Sequence, residues 1–257
     1  MNNILKSQRI WVTGASSGIG YASVLELSRK GARSIAISGR NISKLETLKN
    51  KLPDLNVVIV PFDVTSRQET LQARDQVVAL LGGVDLVFLN AGASEHINIK
   101  AFDSFIFERM MQLNYMSLVY GVEAVLPLLR DSKAPHLVGM SSVAGYGGLP
   151  GAAAYCAAKA AARVFLESIK IDLLREQIPV SIVCPGFVKT SLTDKHTFKM
   201  PFLISVEQAA KIIVKGIQNK TDEIHFPKRM SVFLKLMNCL PAKYYAKLMS
   251  IADPYGK

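Results

Sequence analysis

Two ionisable side chains interrupt an alanine-rich tract near the middle of the chain. The tract GAAAYCAAKAAARVF spans residues 151–165 and places Tyr155 four residues before Lys159. Alanine is the best helix former, so we expect a helix, and a spacing of four puts both side chains on one helical face. A neighbouring ammonium lowers the pKa of a phenol, which is ordinarily near 10 and too high for a base at neutral pH. The pair could therefore transfer a proton, although lysine is also common on solvated helix surfaces.

A proton-transfer pair needs elements that hold it beside a ligand, and the chain shows a regular alternation of strands and helices. Longer helical patterns separate short, β-branched runs, which are RIWVTG, SIAISG, LNVVIVPFD, VDLVFLNAG, HLVGMSS and VSIVCPG. Runs that are apolar throughout indicate strands buried on both faces, which implies a parallel sheet. We therefore predict an α/β fold with a doubly wound parallel sheet, which binds ligands at the carboxyl ends of its strands.

A glycine-rich turn follows the first expected strand. In WVTGASSGIGYASVLELSRKGA, three glycines (Gly14, Gly18 and Gly20) lie between a strand that ends near Thr13 and a helix that runs to about Lys30. Such a turn lets the backbone approach a pyrophosphate, and the helix amino terminus offers free N–H groups and the positive end of its dipole. The spacing differs from G-x-G-x-x-G, since three residues separate the first two glycines and one separates the last two.

The same turn can be interpreted as a hydrolase site. GASSG satisfies G-x-S-x-G, the nucleophile elbow of α/β-hydrolases, with Ser16 as the nucleophile. A hydrolase elbow follows several strands and a loop that supplies the oxyanion hole, whereas only thirteen residues precede Gly14. The four histidines are not placed by any motif beside a late acid. The position of the turn therefore favours nucleotide binding over hydrolysis.

Six short motifs occur in the order that is typical of one enzyme family. They are TGASSGIG at 13–20, NAG at 90–92, an asparagine at 114, SS at 141–142, Y-x-x-x-K at 155–159 and PGFVKT at 185–190. In these motifs the chain resembles the short-chain dehydrogenase/reductase family over residues 8 to 226. The resemblance implies one domain over residues 1–257, with a Rossmann-type core of about seven strands at 8–226. It also implies a nicotinamide cofactor and hydride transfer to or from a carbon that bears oxygen.

The resemblance assigns catalytic roles to four residues. It makes Tyr155 the proton donor or acceptor, and Lys159 the ammonium that lowers the pKa of Tyr155 and binds the nicotinamide ribose. It makes Ser142 the hydroxyl that holds the substrate oxygen, and Ser142 is preferred to Ser141 because Tyr155 follows it by thirteen positions, as in the family. Asn114 corresponds to the helix residue that anchors a proton-relay water.

Cofactor contacts are carried over from the family in the same way. Asp63, in FDVT, resembles the acid that contacts adenine, and Thr190 resembles the hydroxyl that meets the carboxamide of the nicotinamide. The residues expected to bind the cofactor are Gly14, Ser16, Ser17, Gly18, Ile19, Gly20, Arg40, Asp63, Asn90, Ala91, Gly92, Tyr155, Lys159, Pro185, Gly186, Val188 and Thr190.

The loop after the second strand, AISGRNISKL, indicates which nicotinamide cofactor is bound. NAD sites have an acid here that accepts hydrogen bonds from the ribose hydroxyls. This chain has Gly39 instead, followed by Arg40, whose planar fork of donors suits a 2′-phosphate. NADP-preferring relatives often have a second basic residue where this chain has Ser17. We predict that NADP(H) is preferred over NAD(H).

The substrate side of the chain is apolar, and its carboxy-terminal end is also basic. We expect a substrate lid over residues 187–204, whose apolar residues favour an apolar alcohol or ketone; these are Phe187, Leu192, Phe198, Met200, Phe202 and Leu203. Residues 228–251 combine apolar side chains at i, i+3, i+4, i+7 spacing with lysines and an arginine, which predicts an amphipathic basic helix interrupted at Pro241. Three roles are open for this extension. It could contact a membrane surface, cover a site for lipid-like substrates, or pack against the domain or a second subunit.

Composition limits the classes of partner. Residues 195–257 hold 11 basic and 4 acidic residues, so +7 of the net charge of +11 is carboxy-terminal. No zinc-finger spacing, RNP-like motif or dense basic block accompanies this charge, which argues against specific nucleic-acid binding. The three cysteines lie far apart and form no C-x-x-C pair, so we expect neither a disulfide framework nor a metal site. The amino terminus lacks a signal-peptide pattern, and no apolar run approaches roughly 20 residues, so we expect a cytoplasmic protein; membrane contact is one of the alternatives left open for the extension.

These observations predict an NADP(H)-dependent oxidoreductase that interconverts a carbonyl and a secondary alcohol on an apolar small molecule. The alternative is a non-catalytic NADP(H)-binding regulatory protein of the same fold, and the complete set of four catalytic residues argues against it. Relatives form dimers or tetramers through the helix expected at 104–129 and the helix that carries Tyr155. We therefore expect a homodimer or homotetramer.

Overall fold

A computed structural model of the chain describes residues 4–190, 193 and 200–251. The seven strands of this part are parallel and form one sheet in the order β3-β2-β1-β4-β5-β6-β7. They are β1 (Arg9–Thr13), β2 (Ser34–Ser38), β3 (Asn56–Ile59), β4 (Leu86–Leu89), β5 (His136–Met140), β6 (Val180–Pro185) and β7 (Glu223–Phe226). The predicted α/β fold, a doubly wound parallel sheet of seven strands in a single domain, is confirmed.

Helices cover both faces of the sheet. They are α1 (Gly18–Arg29), α2 (Ile42–Asn50), α3 (Arg67–Leu81), α4 (Ser104–Met111), α5 (Ser117–Arg130), α6 (Ala153–Leu173), α7 (Val206–Gln218), α8 (Lys228–Asn238) and α9 (Ala242–Ile251). A π-helical turn at Gln112–Met116 joins α4 to α5, so the single helix expected over 104–129 is divided. Within the described ranges, none of the helices has the length and apolar character needed to cross a membrane.

Side chains that alternate along the strands bury one core on each face of the sheet. In β1, Ile10 and Val12 belong to the core that includes residues of α1, α2 and α7. Trp11, between them, belongs to the opposite core with residues of α3, α5 and α6. Because both faces of the sheet are covered, every position of β4, β5 and β6 is buried, and this explains why these strands are mostly apolar.

The alanine-rich helix α6 packs closely on the sheet. Ala162 is buried in the core against the sheet, whereas Ala154 and Ala158 are buried in a separate cluster with residues of α4. A Cβ at Gly139 of β5 would lie 2.5 Å from Cδ1 of Leu166, so the helix approaches that strand more closely than a larger residue would allow. Close packing accounts for the small residues of the tract, and it fixes the rest of α6 against the carboxyl end of β5.

The strand order reverses at β1, which has β2 on one side and β4 on the other. Chain connections leave the two sides of this position in opposite directions, which opens a crevice at the carboxyl edge of the sheet. The segments that follow β1, β4 and β5 border this crevice. Most of the sequence-predicted site residues belong to these segments or to α6 beside them.

Candidate active site

The glycine turn after β1 depends on close backbone contacts. Gly14 has a φ of +66°, in the left-handed region that favours glycine. A Cβ at Gly14 would lie 2.9 Å from the Cα of Ala91, and a Cβ at Gly20 would overlap the carbonyl oxygen of Gly14. Asn90 holds the turn from the end of β4, since its Nδ2 donates to the carbonyls of Thr13 (3.1 Å) and Gly14 (3.2 Å). Asn90 therefore has a structural role in shaping the turn.

The turn leads into α1, whose amino terminus borders the crevice. Ser17 is the N-cap residue, and within the described part of the chain its side chain makes no capping hydrogen bond. By contrast, Asn41 and Ser66 cap α2 and α3 through side-chain oxygens that accept from backbone N–H groups at 2.9 and 3.2 Å. The first N–H groups of α1 are thus left for another acceptor, and the helix dipole favours an anion there. This arrangement suits a pyrophosphate group.

The crevice forms a cleft of about 930 Å³ along the carboxyl edge of the sheet. Most of the sequence-predicted site residues line it, namely Gly14, Ser16, Ser17, Gly18, Ile19, Arg40, Asn90, Ala91, Gly92, Asn114, Ser142, Tyr155, Lys159, Pro185, Gly186, Val188 and Thr190. Two predicted residues do not belong to its lining in the described part of the chain. Gly20 is buried behind the turn, and Asp63 lies beside Arg40.

Ser142, Tyr155 and Lys159 lie together on the wall formed by β5 and α6. The Ser142 hydroxyl donates to the carbonyl of Pro185 at 3.2 Å, and Ser142 lies close enough to the Tyr155 phenol to lower its pKa. Lys159 Nζ lies 5.9 Å from the centre of the Tyr155 ring and donates to the carbonyl of Met140 at 3.2 Å. The neighbouring Ser141 hydroxyl donates instead to the carbonyl of Lys159 at 2.9 Å, which anchors α6 to the end of β5. Of the two serines, Ser142 is therefore the one that influences the phenol.

Burial controls the ionisation of this wall. It raises the pKa of Tyr155 to about 12, and the nearby Ser142 side chain offsets only part of that rise. It lowers the pKa of Lys159 to about 8, because the Lys159 side chain is almost fully enclosed. Desolvation thus outweighs the lowering of the Tyr155 pKa that the sequence pattern suggested. At neutral pH the phenol keeps its proton, and most of Lys159 is charged.

Asn114 lies in the π-helical turn between α4 and α5, a local insertion that often occurs at functional sites. Its Nδ2 donates to the carbonyls of Ala93 (2.9 Å) and Met110 (3.1 Å), and its Oδ1 accepts from the Ala93 N–H at 3.2 Å. A Cβ at Gly92 would lie 2.7 Å from Asn114 Oδ1 and 3.3 Å from Lys159 Nζ. Gly92 therefore provides the space in which Asn114 and Lys159 approach each other. The amide oxygen of Asn114 can still accept a second donor, such as a water.

Arg40 lies at the opposite end of the cleft, after β2. Its side chain is 76% exposed, and its Nη1 lies 3.8 Å from Oδ2 of Asp63. Burial raises the pKa of Asp63, but hydrogen bonds from Thr65 and the charge of Arg40 outweigh burial, so the net pKa is below its usual value. A Cβ at Gly39 would lie 3.2 Å from Ser16 Oγ, which shows that the loop after β2 packs on the glycine turn. The exposed guanidinium is thus held at the edge of the turn, where a phosphate on a bound ribose can reach it.

The other end of the cleft has an apolar wall formed by residues 228–251, for which the sequence analysis left three roles open. Met230, Phe233 and Leu234 of α8 and Met249 of α9 line this end. Their helical spacing predicted an amphipathic helix, and α8 and α9 indeed lie on either side of Pro241. Periodicity shows which residues share a helical face, but it does not show what that face covers.

The predicted lid is described only in part. Phe187 and Phe202 line the cleft beside the apolar wall. Leu192 and Phe198, which the sequence analysis placed in the lid, lie outside the described residues.

A polar cluster attaches the apolar wall to the rest of the fold. Tyr146, in the segment after β5, donates to Glu223 Oε1 of β7 at 2.6 Å. Lys235 of α8 forms an ion pair with the other oxygen of the same carboxylate. Tyr245 of α9 donates to the carbonyl of Gly148 at 2.7 Å. The two carboxy-terminal helices are therefore bonded to the segment that begins at the end of β5.

Comparisons of the whole chain with known proteins agree on one family. A family model described as short chain dehydrogenase matches residues 8–200. The chain is 38% identical over 232 residues to an uncharacterized oxidoreductase of Myxococcus xanthus, which covers 90% of this chain and 91% of that protein. It is 33% identical over 232 residues to an uncharacterized oxidoreductase of Listeria monocytogenes, which covers 85% of this chain and 93% of that protein.

Two solved structures share the fold. A short chain dehydrogenase/reductase from Burkholderia phymatum in complex with NAD has a TM-score of 0.83 and 20% identity, and the match covers 91% of this chain and 94% of that chain. An alcohol dehydrogenase from the archaeon Thermococcus sibiricus complexed with 5-hydroxy-NADP has a TM-score of 0.76 and 22% identity, covering 85% of this chain and 95% of that chain.

Proposed function

The chain belongs to the short-chain dehydrogenase family of oxidoreductases, and from this premise we propose that it is an NADP(H)-dependent enzyme that interconverts a carbonyl and a secondary alcohol on an apolar small molecule. One observation carries the proposal. The Tyr155 phenol lies beside Ser142 and buried Lys159, inside a cleft that also contains the uncapped amino terminus of α1.

The residues along the cleft divide the binding of a nicotinamide cofactor among them. The glycine turn and the α1 amino terminus suit the pyrophosphate, Arg40 suits a 2′-phosphate, and Lys159 lies where it can bond the nicotinamide ribose. When bound, the cofactor supplies hydride to the substrate carbon or accepts it. The protein's own task is to position the substrate oxygen and to move one proton to or from it.

Tyr155 gives its proton to the substrate oxygen, and Ser142 holds that oxygen through its hydroxyl. The pKa of Tyr155, about 12, means that the phenol carries a proton at neutral pH, as a proton donor must. Lys159 acts at the moment the proton leaves, because its charge stabilises the phenolate that forms beside it. A water held by Asn114 Oδ1 returns a proton to this group from solvent.

A substrate screen tests this function. Purified protein is mixed with NADPH and a panel of aldehydes, ketones and quinones that includes long-chain apolar members, and the loss of NADPH absorbance is followed. We expect turnover with apolar members of the panel. Tyr155→Phe should lower kcat by roughly 10²- to 10⁴-fold, the usual contribution of a positioned proton donor, and change NADPH affinity far less. Full turnover by Tyr155→Phe on an accepted substrate would contradict the mechanism. NADPH binding without turnover on any substrate would favour a regulatory protein.

We also expect the enzyme to be a cytoplasmic homodimer or homotetramer. Support comes from apolar side chains exposed on α4 and α6, namely Phe105, Val164 and Ile171. Light scattering coupled to gel filtration gives the mass directly. A monomer throughout the micromolar range would contradict this expectation.

A further inference from the structure

The outward surface of the two carboxy-terminal helices exposes large apolar side chains of the kind that a surface helix ordinarily buries. In α8, Ser231 is buried and Lys235 faces inward to Glu223, whereas Phe233 and Leu236 are 56% and 66% exposed. In α9, none of the residues is buried, and Ile251 is 78% exposed. We define the C-terminal face as the exposed apolar side chains of these helices, which are Val232, Phe233, Leu236, Tyr244, Leu248 and Ile251.

The charge around the C-terminal face has one sign. Residues 228–251 contain five basic residues and no acidic residue. Among the described residues, Lys235 is the one of the five that has an ion-pair partner. The other four are exposed beside the apolar side chains, and they are Lys228, Arg229, Lys243 and Lys247. An apolar surface with only positive charges around it is complementary to a surface that is apolar inside and anionic outside.

The C-terminal face also adjoins the mouth of the cleft. Phe233 belongs both to the face and to the lining of the cleft, and Met249 of α9 lines the cleft from the other helix. Phe202, which is 52% exposed, lines the cleft beside them. Whatever covers the face therefore lies next to the entrance used by the substrate.

We propose that the C-terminal face docks on an anionic lipid bilayer, with the mouth of the cleft against the lipid. Exposed Phe and Leu side chains insert among the acyl chains, and the lysines meet the phosphate groups of the lipid headgroups. A second copy of this chain suits the face less well, because symmetric pairing brings two sets of positive charges together. The related conclusion, that lipid-soluble substrates enter from the bilayer, rests on the proposed function.

Vesicle co-sedimentation tests the docking. Vesicles of phosphatidylcholine mixed with phosphatidylglycerol should sediment the protein at low salt, and vesicles of phosphatidylcholine alone should bind it far more weakly. Lys243→Gln/Lys247→Gln should weaken binding roughly tenfold or more, since each lysine near an anionic surface strengthens binding about fivefold. The control is Lys211→Gln/Lys215→Gln on α7, which removes two exposed lysines at the same spacing. Equal losses in the two variants would mean that net charge alone drives binding, and would overturn the proposal.

A second pair of variants tests the apolar part. Leu236→Ser/Ile251→Ser should weaken binding at high salt, whereas Ile42→Ser/Leu80→Ser, at other exposed apolar positions, should not. If the first pair instead abolishes a dimer seen by light scattering without vesicles, the face is an interface between copies and the proposal fails.

The native cysteines provide a readout that needs no activity. Cys239, between α8 and α9, is exposed, whereas Cys156 and Cys184 are buried. An environment-sensitive dye attached to Cys239 should shift to shorter emission wavelengths with anionic vesicles. An unchanged spectrum together with no sedimentation at low salt would overturn the proposal. Turnover of a water-soluble aldehyde without vesicles is measured separately, so failure of docking and failure of the proposed enzyme activity remain distinguishable.

Discussion

The Ser142 hydroxyl, the Tyr155 phenol and the Lys159 ammonium lie together at one end of the cleft. Burial sets the protonation states of the phenol and the ammonium. A buried lysine with a pKa of about 8 is costly for the resting protein, and the cost is compensated only when a negative charge forms nearby. In the proposed mechanism, that negative charge is the phenolate of Tyr155. Arg40, by contrast, is exposed, and in the proposed function it is available to bind a phosphate of the cofactor.

Replacing Arg40 tests the cofactor preference at the level of one side chain. Arg40→Ala should lower NADPH affinity by about 10- to 100-fold, the worth of a charge-assisted hydrogen bond, and change NADH affinity by less than about twofold. Affinities are measured by titration of cofactor fluorescence, with Lys49→Ala on α2 as the control for loss of one exposed positive charge. Unchanged NADPH affinity in Arg40→Ala would rule out its role as the 2′-phosphate ligand.

Alanine substitutions at two glycines, Gly92 and Gly148, give a matched comparison near the wall formed by β5 and α6. Gly92→Ala would place a Cβ 2.7 Å from Asn114 Oδ1 and 3.3 Å from Lys159 Nζ, so we expect turnover to fall at least about tenfold through the displaced amide. Gly148→Ala has open space around the new Cβ and should leave turnover near that of the wild type. Steady-state kinetics and thermal melting of both variants make the comparison. Similar losses in both would mean that Gly92 has no special role.

At the scale of the elements, α6 and the end of β5 position Ser142, Tyr155 and Lys159. A buried histidine joins β5 to the neighbouring strand β6. His136 of β5 lies 2.8 Å from Ser181 of β6 through Nε2, and the Ser181 hydroxyl donates to the carbonyl of Thr221. Nε2 of His136 therefore carries the proton and donates to Ser181. Burial lowers the pKa of His136 from 6.5 to about 4, so the ring stays neutral in the folded protein.

This neutral histidine predicts sensitivity to acid. Between pH 6.5 and 4 the unfolded chain binds a proton at His136 that the folded chain does not, so stability falls as pH falls through this window. The loss reaches about 3 kcal/mol for a shift of this size. His136→Gln removes the titrating group, so urea unfolding at several pH values should show a shallower decline in the variant. The same decline in both proteins would mean that His136 does not contribute to acid sensitivity.

For the whole molecule, the cleft joins parts that lie far apart in the chain. The glycine turn is formed near the amino terminus, the proton-transfer wall near the middle, and the apolar wall by the last two described helices. A ligand that spans the cleft therefore stabilises the complete fold and not one segment of it.

Cofactor binding should raise the melting temperature accordingly. At about 100 times its Kd, NADPH adds roughly 2.7 kcal/mol, which corresponds to an increase of about 5 to 10 °C for a chain of this size. NADH at the same concentration should give a smaller shift, and Arg40→Ala should remove most of the difference. Scanning calorimetry measures all three. Equal shifts from both cofactors in the wild type would contradict an NADP(H) preference.

Most of the fold could be predicted from the sequence because a parallel sheet covered on both faces requires strands that are apolar throughout. The positions of Ser142, Tyr155 and Lys159 could be predicted because ordered motifs mark them. The pKa of Tyr155 could not, since it depends on how far tertiary packing excludes water. The division of the 104–129 helix by a π turn has no signal in its apolar periodicity. The apolar wall also depends on tertiary contacts, namely the bonds from Tyr146, Glu223 and Tyr245.

Glu223 and Lys235 attach α8, and with it the apolar wall, through residues that are distinct from Ser142, Tyr155 and Lys159. Proton transfer is assigned to residues that precede β7, whereas the wall comes from residues that follow it. Under the proposed function, the cleft-lining Met230, Phe233 and Met249 can therefore be varied, with Glu223, Lys235 and the buried Leu234 retained to hold α8 in place. Such variants are expected to change which molecules are accepted while the hydride and proton chemistry stays the same, which makes this terminus the natural place to diversify a library of variants.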